Sequence, residues 1–265
     1  MKIYISVDME GIAGILLPEQ LVKGETLYYE ARKLMTREVN VIIEELIKIG
    51  VKDIVVKDAH GSGFNFLIED LHPDALYVMG GLRVDQRFPL LDSSFTGAFL
   101  IGYHAKSGTK QAIRDHTISS HSWQSITLNG IEIGEIGLDS LLFGLHNVPI
   151  LLVTGDDKAC KEAKEFLGED VVTYITKYSL GRHAGIMLPP KRVYKELAEV
   201  VKRAIDNSKK CSPFYLNPPY EMVVRYMSTE QVDRLFCDNK RVIRIDGVTV
   251  KYKEEDLMQL LSHVL

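Results

Sequence analysis

The stretch Lys2-Ile3-Tyr4-Ile5-Ser6-Val7-Asp8-Met9-Glu10-Gly11 sets the first pattern of the chain. Ile3, Ile5 and Val7 alternate with Tyr4 and Ser6, the two-residue period of a strand, before any helical spacing begins. Strand side chains repeat every two positions, so a strand that persists to Glu10 points Asp8 and Glu10 the same way, with Gly11 releasing the chain into a turn. From Leu27 the period changes. Leu27, Ala31, Leu34, Met35, Val39, Ile42, Ile43, Leu46 and Ile49 fall at spacings of three and four, the stripe of a long amphipathic helix that Gly50 is placed to end. Residues 53–57 then read as a short buried strand, and strand, helix, strand in this order predicts a parallel pair.

Further apolar runs predict strands at 76–79 and 98–104. Residues 125–128 and 131–133 flank Asn129-Gly130, a strong hairpin signal because these two residues accept the positive φ angles of a tight turn. A short helical segment runs to Leu145, a buried strand follows at 149–153, and a helix at 158–167 has Asp156 as its N-cap. Residues 171–175 form the last strand of this region. Pro189-Pro190 interrupts the chain before an amphipathic helix near 193–205. Beyond it come strands at 221–226, 241–245 and 249–252, with Asp246-Gly247 as a turn, and a helix over 254–264. The expectation is an α/β protein in two parts: a mostly parallel sheet flanked by helices over residues 1–190, and a smaller α+β C-terminal domain over 191–265.

Composition narrows the picture. A chain of 265 residues can bury one good core and a second small one, and 46% apolar with 26% charged residues are ordinary globular values. The net charge is −4 and no block of Lys or Arg stands out, so neither nucleic acid nor an anionic membrane is the expected partner. The apolar runs are too short to span a bilayer and the first residues enter a strand without a signal-peptide pattern, which points to the cytoplasm. Cys160, Cys211 and Cys237 are odd in number, widely spaced and without CxxC pairing. Neither a disulfide framework nor a thiolate zinc site is indicated, so any metal must be held by oxygen and imidazole.

The candidate chemistry lies at strand ends. In open parallel sheets ligands gather at the carboxyl ends of the strands, which brings His60, after the strand at 53–57, and His104, at the end of the strand at 98–104, to the edge where Asp8 and Glu10 emerge. Glu135 joins them less directly. Two neighbouring carboxylates repel unless a cation lies between them or one takes a proton. Three carboxylates and two imidazoles suit zinc, manganese or a pair of such ions, whereas an all-oxygen set suits magnesium. Five residues are too few for two closed tetrahedral sites. One carboxylate then bridges, and water or substrate fills open positions, as a catalytic site requires. Each residue also has an ordinary structural alternative: a histidine capping a strand end, or Glu135 simply stabilised at a helix N-terminus. His116 and His121 lie in a polar loop where either could act as acid, as base or not at all. The glycine-rich segments do not make a phosphate loop.

These residues resemble the D-aminopeptidases of the dipeptide-transport-operon type, a family of binuclear zinc peptidases. Ser6-Val7-Asp8-Met9-Glu10-Gly11 matches the SxDxEG signature of that family. Asp58-Ala59-His60, Gly102-Tyr103-His104-Ala105, Asp115-His116-Thr117, Gly134-Glu135-Ile136-Gly137 and Val153-Thr154-Gly155-Asp156-Asp157 follow in the family's order. The resemblance implies that Asp8, Glu10, His60, His104 and Glu135 ligate two zinc ions per chain, with Asp8 bridging, and that His116 is the catalytic histidine. It also implies hydrolysis of small peptides with a free amino terminus, D-residues included, by a homo-oligomer, a ring-shaped decamer enclosing its active sites. Two other readings stand beside it. Paired metals held by Asp, Glu and His serve phosphoester hydrolysis equally well, and a non-catalytic protein could hold the metal structurally.

Overall fold

The computed structural model describes residues 1–83 and 86–264. The first half of the chain runs β1 (Lys2–Val7), α1 (Tyr28–Lys48), β2 (Asp53–Asp58), β3 (Leu76–Val78), β4 (Gly97–Tyr103), the hairpin β5 (Trp123–Leu128) and β6 (Ile131–Glu132), and α2 (Glu135–Leu145). It continues through β7 (Ile150–Asp156), α3 (Asp157–Leu167), β8 (Val172–Gly181), β9 (Ala184–Met187) and α4 (Pro190–Asp206). The last stretch is β10 (Tyr220–Tyr226), α5 (Thr229–Asp233), β11 (Val242–Arg244), β12 (Thr249–Glu254) and α6 (Leu257–Val264).

Among the described residues, seven strands form one sheet in the order β3-β2-β1-β4-β7-β8-β9. All neighbours are parallel except β8 and β9. The chain moves outward from β1 to β2 and β3, then returns to the far side of β1 as β4. That reversal opens a crevice above the carboxyl ends of β1 and β4, the usual ligand position in sheets of this kind.

Alternation along β1 explains the layers. Ile3, Ile5 and Val7 pack with Met35, Val39 and Ile42 of α1 and with Val193 and Leu197 of α4. Tyr4 faces the opposite layer, with Phe143 of α2 and Ala159 and Ala163 of α3. Both faces of the sheet are covered, which is why its strands read as nearly continuous apolar runs.

A second, antiparallel sheet has the order β11-β12-β10-β5-β6. Leu138 and Leu141 of α2 and Leu257 and Leu260 of α6 pack with it. Its β5-β6 turn has φ +50° at Asn129 and +79° at Gly130, the left-handed pair that a two-residue hairpin requires. This sheet draws β5 and β6 from before residue 190 and β10 to β12 from after it, while α4, also beyond 190, packs on α1.

The strand expected at 171–175 extends to Gly181 and turns back as β9. Its second half inverts the ordinary pattern: Thr176, Lys177 and Ser179 are buried, whereas Tyr178 and Leu180 are exposed. Polar residues facing inward hide such a strand from hydropathy. Among the described residues no helix is long and apolar enough to cross a membrane.

Candidate metal centre

The strand period does not align Asp8 with Glu10, because β1 ends at Val7 and both acids lie in the turn beyond it. Contact with β4 shapes that turn. Asp8 donates its amide to the Ile101 carbonyl at 2.8 Å and Gly11 to that of Gly102 at 2.7 Å. The approach is so close that a Cβ on Gly11 would lie 2.2 Å from the Tyr103 carbonyl oxygen, and one on Gly102 2.3 Å from that of Asp8. Gly102 also has φ +71°, a backbone conformation that favours glycine.

The other candidates arrive from separate elements. His60 follows β2, where Ala59 donates to the Val7 carbonyl at 2.7 Å and the Asp58 carboxylate accepts the His60 amide at 3.3 Å. His104 directly follows β4. Glu135 opens α2, where the helix N-terminus favours its charge, and its Oε1 accepts the Ile118 amide at 2.7 Å. That bond ties the loop carrying His116 to the same acid.

All six sequence-derived residues meet at the crevice. His60 Nδ1 lies 3.1 Å from Asp8 Oδ1 and 3.0 Å from Glu10 Oε2. His104 Nε2 lies 3.4 Å from Asp8 Oδ2 and 3.3 Å from Glu135 Oε1. His116 Nε2 is 3.7 Å from Glu135 Oε1, and its ring stacks on that of His104 with centroids 3.9 Å apart. Donor atoms of Asp8, Glu10 and His104 lie within 4.8 Å of one another, as do those of His104, His116 and Glu135.

The outer nitrogen of each ring fixes what the inner one can do. His60 Nε2 faces the Leu21 carbonyl at 3.1 Å, His104 Nδ1 the Ala105 carbonyl at 3.0 Å and His116 Nδ1 the Arg114 carbonyl at 2.8 Å. A carbonyl only accepts, so each of these nitrogens carries the hydrogen and the opposite nitrogen of a neutral ring turns a lone pair toward the carboxylates. Lone pairs facing anions need a cation between them. Buried His104 Nε2 makes no hydrogen bond among the described residues despite its two acidic neighbours. Backbone carbonyls orienting imidazoles from behind are the usual support of metal-binding histidines, and the mixture of imidazole and carboxylate donors fits zinc.

Proton affinities lead to the same conclusion. Burial and the adjacent charge of Glu10 push the Asp8 carboxyl up to about 7. Burial opposes ionisation of Glu135 too, but the charge of His104 outweighs it and holds this acid down at about 2. Against their burial, the neighbouring carboxylates raise His60 and His104 well above the ordinary histidine range. His116 is lowered, by burial and by the charge of His104. The cluster thus binds protons strongly at its centre, where a divalent cation can take their place.

The cluster floors a cavity of about 380 Å³ that is also lined by Arg87, Arg114 and His121. Sequence reading did not single out the two arginines. Arg87 is bidentate to Asp139, with Nη2 3.0 Å from Oδ2, and Asp139 also accepts the Tyr103 hydroxyl at 2.6 Å. Arg114 stands two residues before His116, so its nearness was legible, but not that its side chain has no ion-pair partner among the described residues.

Fold and donor set together define an α/β metalloenzyme with imidazole and carboxylate donors around an open cavity. A sequence model of the D-aminopeptidase family matches residues 1–265. The D-aminopeptidase of Bacillus subtilis (strain 168) is 31% identical over 271 residues, covering 100% of this chain and 96% of that protein. The solved structure of the Zn-dependent D-aminopeptidase DppA from Bacillus subtilis, described as a self-compartmentalizing protease, aligns with a TM-score of 0.92 at 30% identity. That alignment covers 99% of this chain and 95% of the other. The chain belongs to the D-aminopeptidase family and is a metal-dependent aminopeptidase. Membership does not favour the phosphoesterase or the non-catalytic alternative.

Proposed function

We propose that Asp8, Glu10, His60, His104 and Glu135 hold a pair of zinc ions, with Asp8 bridging, and that His116 is the catalytic acid-base in hydrolysis of short peptides from a free amino terminus. The observation that carries this reading is the arrangement of the rings of His60, His104 and His116, each backed by a carbonyl and aimed at the carboxylates. When bound, zinc supplies a Lewis acid that polarises a peptide carbonyl and makes water acidic enough to attack near neutral pH. The residues of the chain do the rest. Asp8 offers one oxygen toward His60 and the other toward His104, the disposition a bridging carboxylate needs. His116, oriented through Nδ1, presents Nε2 to the cavity, where it can take a proton from the attacking water and return it to the leaving amine. Such a role contributes about 10²- to 10⁴-fold.

D-residue peptides are the proposed substrates, on the named activity of the Bacillus subtilis relative. The relative described as self-compartmentalizing supports a homo-oligomer for this chain, with a decamer as the proposed assembly. A cytoplasmic location agrees with the free thiols of Cys160, Cys211 and Cys237.

The test is His116→Ala in zinc-loaded enzyme. Turnover of a D-residue dipeptide is expected to fall at least about 100-fold while bound zinc stays at the wild-type level. Loss of zinc from that variant would make His116 a ligand and end its assignment as the proton carrier.

A further inference from the structure

Among the described residues Arg87, Arg114 and Arg182 stand at or beside the candidate centre, and two of them are paired. Arg87 pairs with Asp139, and Arg182 pairs with Asp115. Arg114 has no ion-pair partner among the described residues, and its buried Nε makes no hydrogen bond. Burial and the neighbouring charge of Arg182 act against its positive form and outweigh the carboxylates of Glu10, Asp115 and Glu19. A cation beside a centre built to hold cations is unfavourable unless an anion lies against it.

The backbone is built to keep Arg114 there. Its amide donates to the Arg182 carbonyl at 3.0 Å, and the preceding Ile113 amide is held by the Asp156 carboxylate at 2.9 Å. Arg114 has φ +52°, with Gln111 at +56° and Ile118 at +61° in the same loop. Three non-glycine residues in left-handed conformation within one loop are costly and persist where surrounding contacts over-determine them, commonly at ligand clamps. The Arg114 carbonyl orients His116, while its side chain lines the cavity above the acids.

We propose that Arg114 binds the C-terminal carboxylate of the peptide and thereby selects very short free-acid substrates. The inference rests on the aminopeptidase reading. A substrate with its amino end at the scissile bond has one other charged terminus, and in a dipeptide that terminus lies a single residue beyond the bond. A guanidinium fork matches a carboxylate in geometry, and such charge-assisted pairs are the stronger hydrogen bonds. A longer peptide or a C-terminal amide presents no anion at that distance. The other anion available, the oxyanion developing on the scissile carbonyl, predicts a different result and is separated by the test.

Zinc-loaded wild-type, Arg114→Gln and Arg114→Lys enzymes are compared on a D-residue dipeptide and its C-terminal amide. The wild type is expected to favour the acid by roughly ten- to hundred-fold in kcat/KM, as a charged hydrogen-bonding pair supplies. In R114Q that ratio collapses toward one, chiefly through KM for the acid, and R114K restores part of it. Equal loss on both substrates, carried by kcat, would assign Arg114 to the oxyanion instead and overturn the proposal, as would a wild type indifferent to amidation. Equilibrium binding decides the matter separately from turnover. The free-acid dipeptide should raise the Tm of the wild type more than the amide does, and R114Q should lose that difference; equal shifts in wild type and R114Q count against the proposal. Absence of turnover with this binding difference intact would contradict the reading of the reaction and leave the assignment of Arg114 standing.

Discussion

Nζ of Lys177 on β8 lies 2.8 Å from the carbonyl oxygen of Ile12, across 165 residues of chain. The same ammonium donates to the carbonyls of Glu10 and Ile15. A fully buried lysine thus acts as the hub of the turn that presents Asp8 and Glu10. Lys177→Met keeps most of the volume and takes the ammonium from three carbonyls, of which Ile12 still accepts the Ile15 amide at 3.2 Å. The expected outcome is a loss of about 3–5 kcal/mol in urea unfolding, as for removal of one member of a buried charged network, together with weaker zinc binding in a chelator competition.

Packing at the strand ends gives a second prediction. Alanine at Gly11 or Gly102 meets backbone oxygen at 2.2 or 2.3 Å, and backbone cannot swing aside as a flexible side chain can. Both variants are expected to lose several kcal/mol of stability, on the order of other overpacking and φ-strain effects, and to bind less zinc than the wild type. Gly181→Ala is the control, because among the described residues nothing lies within 4 Å of its added Cβ. Its Tm should stay close to that of the wild type.

Glu38 gives a pH signature away from the candidate metal centre. Its Oε2 accepts the Ala13 amide at 3.0 Å, while buried Oε1 has no hydrogen-bond partner among the described residues. Burial raises its carboxyl from the ordinary 4.5 to about 7, with the Ala13 bond and the charge of Lys177 only partly offsetting. Tyr174 and Tyr194 also sense its charge. Between those two values the folded chain binds more protons than the unfolded one, so the Glu38 contribution to stability is present at low pH and is lost as pH rises through about 7. At about 1.4 kcal/mol per unit, a few kcal/mol are at stake. Unfolding of Glu38→Gln, measured from pH 4 to 8, should lose this decline relative to the wild type; parallel profiles would show that Glu38 titrates normally.

The pair of Arg87 and Asp139 beside the cavity gives the next. Asp139→Ala leaves a buried guanidinium uncompensated and should cost about 3–5 kcal/mol. Tyr103→Phe removes one donor to the same carboxylate and should cost about 1 kcal/mol. If the cost of D139A comes from the stranded charge, the double variant Arg87→Met with Asp139→Leu will recover most of it in the same unfolding experiment.

Much of the candidate site was legible because its residues stop apolar runs. Asp8, His60 and His104 follow buried parallel strands, and the carboxyl ends of such strands converge whatever the details of the loops. Glu135 was legible from its place at a helix start after Gly134. The strand does not persist to Glu10, so its period does not align the two acids: β1 ends before either of them, and contacts with β4 and Lys177 shape the turn. Lys177 could not be foreseen: a buried lysine reads as surface, and its three acceptors are distant in sequence. Nor could the sequence tell which of Arg114 and Arg182 takes Asp115, because that choice is made by a contact across 67 residues.

The claim on which the rest depends is that a pair of divalent ions sits among these acids and imidazoles. Zinc titration of the metal-free chain, read by calorimetry and checked by elemental analysis after dialysis, tests it most directly. The wild type should retain about two zinc per chain, as a bridged centre requires, and Asp8→Ala, lacking the bridge, should retain fewer than one. A wild type that saturates at one ion or none, or a D8A variant that keeps both, would contradict the account.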